Sequence, residues 1–160
     1  MTIAVSAVLL GMALSAAPED SKPEEPPVSA GMRHVVLLKL KDGTTPDETK
    51  GVEEAFRALP SKIDAIESLE WGINSSPEGL NAGYTHCFNL TFADAAARDA
   101  YLPHPAHKEF GQVLGPHRDK VLVVDYEPKV VSEPPAVKED DPTPIRHVVL
   151  MKFKDGTSPE

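Results

Sequence analysis

Two segments rich in proline and acidic residues confine the folded part of this chain to residues 32–128. Residues 18–31 (PEDSKPEEPPVSAG) and 129–145 (KVVSEPPAVKEDDPTPI) carry many Pro, Asp and Glu residues and no aromatic side chain. Such segments cannot bury enough apolar surface to offset the conformational entropy that is lost on ordering. We therefore predict two linkers with one domain between them.

The first 17 residues resemble an export signal. The stretch from Ile3 to Ala17 (IAVSAVLLGMALSAA) is uncharged, too short to span a bilayer, and typical of the apolar core of a secretory signal peptide. Small residues at Ser15 and Ala17 fit cleavage after Ala17. This interpretation predicts a secreted or periplasmic protein. No Lys or Arg precedes the stretch, and the alternatives are a disordered apolar N-terminus or a mispredicted start codon.

The chain contains the beginning of a repeat. Residues 33–47 read RHVVLLKLKDGTTPD and residues 146–160 read RHVVLMKFKDGTSPE, identical at 11 of 15 positions. A second complete copy would give two tandem domains. A single strand has no partner, so we predict that residues 146–160 are either disordered or paired with a sheet edge.

The domain shows a regular order of strand and helix patterns. Strand patterns cover His34–Leu40, 66–74, Tyr84–Phe92 and Val121–Tyr126, and in YTHCFNLTF apolar and polar residues alternate most clearly. Helices are predicted from Pro46, from Ala95 and from Pro105. Their start signals are Thr45 with Glu48 as a capping box, Asp94, and Pro105 after the Pro103 break.

The order β-α-β-β-α-β predicts an α+β, ferredoxin-like fold with an antiparallel sheet and both helical segments on one face. Apolar residues occur on both faces of the predicted sheet, so the face without helices needs a cover. We expect a second subunit, a tandem copy or a ligand to supply it. Two sheets would then meet face to face in a dimeric α/β barrel.

Composition excludes several classes of function. The net charge is −9, which argues against non-specific binding to nucleic acid or anionic lipid. No apolar run reaches the length of a membrane span. With Cys87 as the single cysteine, no internal disulfide or redox pair can form. We predict no cofactor.

The segments RHVVLLKLKDGTTPDE, GYTHCFNLTF and YLPHPAHKEF together resemble the stress-responsive A/B barrel (Dabb) family. The resemblance covers about residues 33–128 and implies a dimeric α+β barrel. It does not fix a function, because the family includes stress-induced plant proteins, bacterial proteins of unknown role and a polyketide cyclase. We therefore expect a dimerising module that binds a small apolar or aromatic compound or serves a stress-related role.

The resemblance to the cyclase implies candidate site residues. Tyr101 and His107 match its Tyr and His, and His34 and His86 match two pocket histidines. We add His104 of the same HPAH segment as a further pocket candidate. A neutral His can take a proton from a carbon acid while a Tyr hydroxyl polarises a carbonyl, so the alternative function is a cyclase-like enzyme.

Other interpretations of these residues stay open. His34 and His86 could be hydrogen-bonded core residues, and His104 could cap the helix that begins at Pro105. The barrel interior could be filled by side chains, which would leave only a dimerisation module. Four histidines could also ligate a metal, but their spacing is not typical of a metal site, and we predict none.

Overall fold

The computed structural model describes residues 31–129 and 145–157. The chain divides after Pro128 into two units. In its described residues, the first unit contains β1 (Met32–Leu40), α1 (Pro46–Arg57), β2 (Ser68–Ile73), β3 (His86–Phe92), α2 (Ala95–Tyr101), α3 (Pro105–Leu114) and β4 (Arg118–Tyr126). The predicted signal segment and almost all of both linkers lie outside the described residues.

The four strands form one antiparallel sheet in the order β2-β3-β1-β4. The predicted ferredoxin-like α+β fold is thereby confirmed. Strand β1 is central and pairs with both β3 and β4, whereas β4 lies at an edge. None of the helices in the described ranges is long and apolar enough to cross a membrane.

Each helix begins where the sequence supplies a cap. The Thr45 side chain accepts a hydrogen bond from the Glu48 amide, and the Glu48 carboxylate accepts one from the Thr45 amide at 2.8 Å, which completes the capping box. Asp94 accepts a hydrogen bond from the Ala97 amide at 2.8 Å and starts α2. These bonds satisfy amides that have no partner within the helix.

The core lies between the sheet and the helices. Along β3, buried and half-buried residues alternate, as the sequence pattern predicts. Phe56 of α1 stacks on Phe88 of β3 with 3.9 Å between ring centres, and Phe110 of α3 meets Phe56 edge-on. The helix-facing residues of β1 are His34, Val36 and Leu38, and all three are buried.

The starts of all four strands differ from the sequence prediction. Strand β1 begins two residues earlier, at Met32, and strand β3 begins two residues later, at His86. Strand β2 begins at Ser68 rather than at position 66, because Ile66 is part of a turn, donating its backbone N–H to the Ile63 carbonyl and burying its side chain. Strand β4 begins at Arg118 rather than Val121, because its charged first residues pair with the end of β1.

The sheet face opposite the helices is also apolar along its centre. The β1–β4 register pairs Val35 with Val124 and Leu37 with Leu122. These residues alternate with the helix-facing ones, so their side chains lie on the other face. Leu122 is 37% exposed and Tyr126 is 46% exposed. An apolar face of this kind is typical of an interface with another protein surface.

In the second unit, residues 145–157 form neither a helix nor a strand. The repeat is still visible in one turn. Thr157 donates its backbone N–H to the Lys154 carbonyl at 3.1 Å, just as Thr44 does to Lys41 in the first copy. Gly156 and Gly43 both have φ of 89°, which glycine adopts without strain. The K-D-G-T sequence therefore forms this turn in both copies.

Candidate functional site

A cavity of about 510 Å³ lies between the sheet and the helices, next to the edge strand β4. Its walls come from β1, β4 and all three helices. The lining residues are His34, Val36, Phe56, Tyr101, Leu102, His107, Lys108, Phe110, Gly111, Leu114, Arg118, Val121, Val123 and Asp125. Val121 and Val123 are 40% and 45% exposed, so the cavity is open along β4.

His34 is held at one end of this cavity by a charged partner. Its Nδ1 lies 2.6 Å from Oδ1 of Asp125, the residue directly opposite it on β4. Because an ionised carboxylate only accepts, Nδ1 carries the proton, and in a neutral ring Nε2 is left as an acceptor. The other oxygen of Asp125 accepts a hydrogen bond from Nη1 of Arg98 on α2. Arg98, Asp125 and His34 thus form one chain of polar contacts.

Tyr101 is the last residue of α2 and is almost completely buried. Its ring centre lies 5.7 Å from that of His34 and 4.3 Å from that of His107. Phe92 packs against its other side at 5.1 Å. Burial raises the pKa of the Tyr101 hydroxyl well above its usual value. The hydroxyl therefore remains protonated near neutral pH and can serve as a hydrogen-bond donor.

His107 lies on the first turn of α3, beyond the break at Pro103. Its Nδ1 is 2.9 Å from the carbonyl oxygen of Leu102. A carbonyl can only accept, so Nδ1 donates and the neutral ring keeps Nε2 as an acceptor. The interruption of the helix between α2 and α3 thus supplies the carbonyl that orients the ring. The structure brings together His34, Tyr101 and His107 of the five candidates.

His86 lies elsewhere and is not among the cavity residues. Its Nε2 is 3.1 Å from Oε1 of Glu53 on α1, and its Nδ1 is 2.8 Å from the Thr85 hydroxyl. Its ring is buried and stacks near Phe88. With both ring nitrogens bonded, its geometry is that of a hydrogen-bonded core residue.

His104 is the N-cap of α3. Its Nδ1 accepts a hydrogen bond from the Ala106 amide at 3.2 Å, and Pro105 occupies the first helical position. It is not among the residues that line the cavity. Its observed contact is therefore that of a helix N-cap, which is the alternative role predicted for His104 from the sequence.

In the described residues, neither a cluster of metal ligands nor the Cys87 thiol lies at this cavity. Within residues 31–129 and 145–157, no three His, Cys, Asp or Glu side chains cluster closely enough to hold a metal ion. Burial, and secondarily the charge of Glu70, raises the pKa of the Cys87 thiol. A thiol that stays protonated is a poor nucleophile.

Sequence reasoning missed four residues of this region: Arg98, Lys108, Arg118 and Asp125. Asp125 and Arg98 form the polar chain with His34, and Lys108 and Arg118 line the cavity. A strand register that pairs the first and last strands would have pointed to Asp125, since it sets that residue opposite His34. No comparable local signal marks the other three.

Comparisons with known proteins agree with the fold. The chain is 39% identical over 101 residues to the stress-response A/B barrel domain-containing protein HS1 of Arabidopsis thaliana, spanning 63% of this chain and 93% of that protein. It is 31% identical over 98 residues to olivetolic acid cyclase of Cannabis sativa, spanning 61% of this chain and 97% of that enzyme.

A solved structure from Bacteroides fragilis, described as a dimeric protein of unknown function with a ferredoxin-like fold, matches with a TM-score of 0.51 and 29% identity. The match covers 61% of this chain and 96% of that one. The sequence model of the family described as stress-responsive A/B barrel domain matches residues 32–128, which are the boundaries expected from the linkers. The chain therefore belongs to the stress-responsive A/B barrel domain family.

Proposed function

We propose that this stress-responsive A/B barrel domain binds a small, largely apolar molecule in the cavity between its sheet and its helices. The observation that carries the proposal is the convergence of His34, Tyr101 and His107 on one cavity of about 510 Å³. Ligand sites in proteins commonly enclose roughly 300–1,000 Å³ and combine apolar walls with a few polar groups. This cavity has both properties.

The polar groups define what the molecule should carry. Tyr101 offers a hydroxyl donor, and His34 and His107 each keep a ring nitrogen as an acceptor when neutral. A carbonyl or hydroxyl group on an apolar body would satisfy these partners. An aromatic body suits Phe56 and Phe110, which also line the cavity.

Gly111 provides a sharp test, because it lines the cavity from within α3 and a Cβ added there meets no atom within 4 Å. Gly111→Leu should fill the cavity without straining the fold. Gly51→Leu is the matched control, since Gly51 lies within α1, has the same free space and does not line the cavity.

The probe is 6-propionyl-2-dimethylaminonaphthalene, a neutral aryl ketone whose emission moves to shorter wavelength in dry surroundings. We expect the full chain and Gly51→Leu to shift its emission equally. Gly111→Leu should weaken binding by roughly tenfold or more, the effect of overpacking a fitted site. Equal binding by all three proteins would refute the cavity as the site.

We also propose that the domain works as a homodimer. The support is the apolar sheet face that holds Val124 and Leu122, together with relatives whose solved structures are described as dimeric. Two such faces packed together would form the barrel of the family name. Light scattering on the purified chain measures the mass directly, and a monomer at micromolar concentration would contradict this proposal.

A second candidate function is proton transfer on a carbonyl compound. The observation that favours it is the 4.3 Å separation of the Tyr101 and His107 rings in one cavity. His107 Nε2 would take the proton from the carbon next to the carbonyl, while the Tyr101 hydroxyl donates a hydrogen bond to the carbonyl oxygen. The same proton, or one from solvent, returns to the carbon.

Deuterium exchange tests this second function. Acetophenone in D₂O should lose its methyl proton signal faster with the protein than without it, and His107→Gln and Tyr101→Phe should each slow that exchange. A rate equal to that of buffer would exclude proton transfer on this ketone, while binding of the naphthyl probe would still support the first function.

For the segment before the domain, we propose export through residues 1–17. The support is the uncharged apolar stretch that ends in small residues at Ser15 and Ala17. N-terminal sequencing of the protein from its native host should begin at Pro18. A protein that keeps Met1 and stays inside the cell would contradict export.

A further inference from the structure

Two cationic side chains, Lys108 of α3 and Arg118 of β4, line the cavity. Both side chains are exposed. Among the ion pairs found in the described residues, none includes either of them. The walls therefore carry two positive charges without a carboxylate partner in the part of the chain that the structure describes.

The one carboxylate that lines the cavity does not offset these charges. Asp125 already bonds to His34 through one oxygen and to Arg98 through the other. The charges that line the cavity without an ion-pair partner are thus positive, although the whole chain has a net charge of −9. A local excess of cations on an acidic protein attracts an anion to that place alone.

The strand register separates the two kinds of polar group. Asp125 lies opposite His34 at one end of the β1–β4 pair, and Arg118 lies opposite Leu40 at the other end. Between them, Val121 and Val123 form an apolar wall along β4. A molecule seated here would meet the hydrogen-bonding groups around His34 at one end, apolar side chains along its body, and a cation at the other end.

We propose that the occupant of the cavity is an apolar organic acid whose carboxylate is bound by Arg118 and Lys108. This inference rests on the proposed binding function and adds the charge of the ligand. The planar guanidinium of Arg118 matches the two oxygens of a carboxylate, and charge-assisted hydrogen bonds are stronger than neutral ones. The apolar body contacts the valines of β4 and the aromatic residues of the helices.

A pair of compounds of equal shape isolates the charge. 1-Naphthaleneacetate is an anion near neutral pH, and 1-naphthaleneacetamide is its neutral counterpart. Titration calorimetry on the full chain should show the carboxylate binding roughly tenfold more tightly than the amide, as one charged hydrogen bond predicts. Raising the salt concentration should reduce this preference, since both cations are exposed.

Variants assign the preference to the two residues. Arg118→Gln and Lys108→Gln should each lower affinity for the carboxylate and leave affinity for the amide unchanged. Lys62→Gln removes the same charge from an exposed residue that does not line the cavity, and should change neither affinity. Arg118→Lys should keep part of the preference because the charge remains.

The outcomes separate this inference from the function on which it rests. Equal affinity for the two compounds, both lost in Gly111→Leu, would overturn the anion preference and keep the cavity as a binding site. A preference that persists in both glutamine variants would overturn the assignment to Arg118 and Lys108. If neither compound binds, the proposal that the ligand is an organic acid is wrong, and the result also counts against the binding function.

Discussion

The His34 ring and the Asp125 carboxylate meet across the central and edge strands, with 2.6 Å between Nδ1 and Oδ1. The contact joins residues that are 91 positions apart in the chain. It fixes which ring nitrogen donates, and it leaves the other nitrogen as an acceptor when the ring is neutral. Because Arg98 binds the second carboxylate oxygen, helix α2 is tied to strand β4 at the wall of the cavity.

Asp125→Asn should destabilise the domain by about 2 kcal/mol, since it removes the charge that two partly buried partners share. Asp99→Asn is the control. Asp99 also binds Arg98, but its side chain is 65% exposed, so its loss should cost only about 0.5 kcal/mol. Chemical denaturation of both variants measures the difference. Equal losses in the free energy of unfolding would show that the contacts of Asp125 with His34 and Arg98 stabilise the domain no more than a surface ion pair does.

Leu122→Glu should convert the proposed dimer to a monomer. The substitution places a charge on the sheet face opposite the helices, where a partner would bury it without a counter-ion. Val113→Glu introduces the same charge at a 43% exposed position of α3, away from that face, and should remain dimeric. Light scattering separates the two masses. A dimeric Leu122→Glu would place the interface elsewhere.

Acid should weaken the capping box of α1. Hydrogen bonds from Thr45 lower the pKa of Glu48 below its usual value of 4.5. The stabilisation is therefore complete above that value and is lost as the pH falls through the folded-state pKa. The Tm difference between the native protein and Glu48→Gln should shrink over that range. Glu109→Gln, which removes an exposed carboxylate of α3, controls for the change in net charge.

His104→Ala should cost about 1 kcal/mol of stability, the usual effect of losing an N-cap, and His104→Asn should restore most of it. Both variants should bind the naphthyl ketone as the native protein does, because His104 does not line the cavity. Loss of binding in a stable His104→Asn protein would show that His104 contributes to the binding site after all.

Much of the fold could be predicted because its signals are local. The capping box at Thr45, the cap at Asp94 and the alternation along β3 each depend on residues within a few positions of one another. The start of β4 could not be predicted in this way. Arg118 has no apolar pattern around it, and it belongs to the strand only because β1 lies beside it.

The candidate site could be predicted only in part, for a related reason. Tyr101 and His107 are close in sequence, and the Pro103 break between them brings their rings together. Asp125 depends on strand register, which the sequence pattern does not determine. His86 could not be separated from the pocket candidates by sequence, since its contact with Glu53 forms only when α1 packs on the sheet.

The exposed valines of β4 bear on how fast a ligand can come and go. Val121 and Val123 face the cavity side of the sheet, yet they remain 40% and 45% exposed. A molecule can therefore reach the interior past the edge strand, along the part of the wall that these exposed valines form. Association should proceed near the rate of an unhindered encounter, so differences in affinity among ligands should come from how long each one stays.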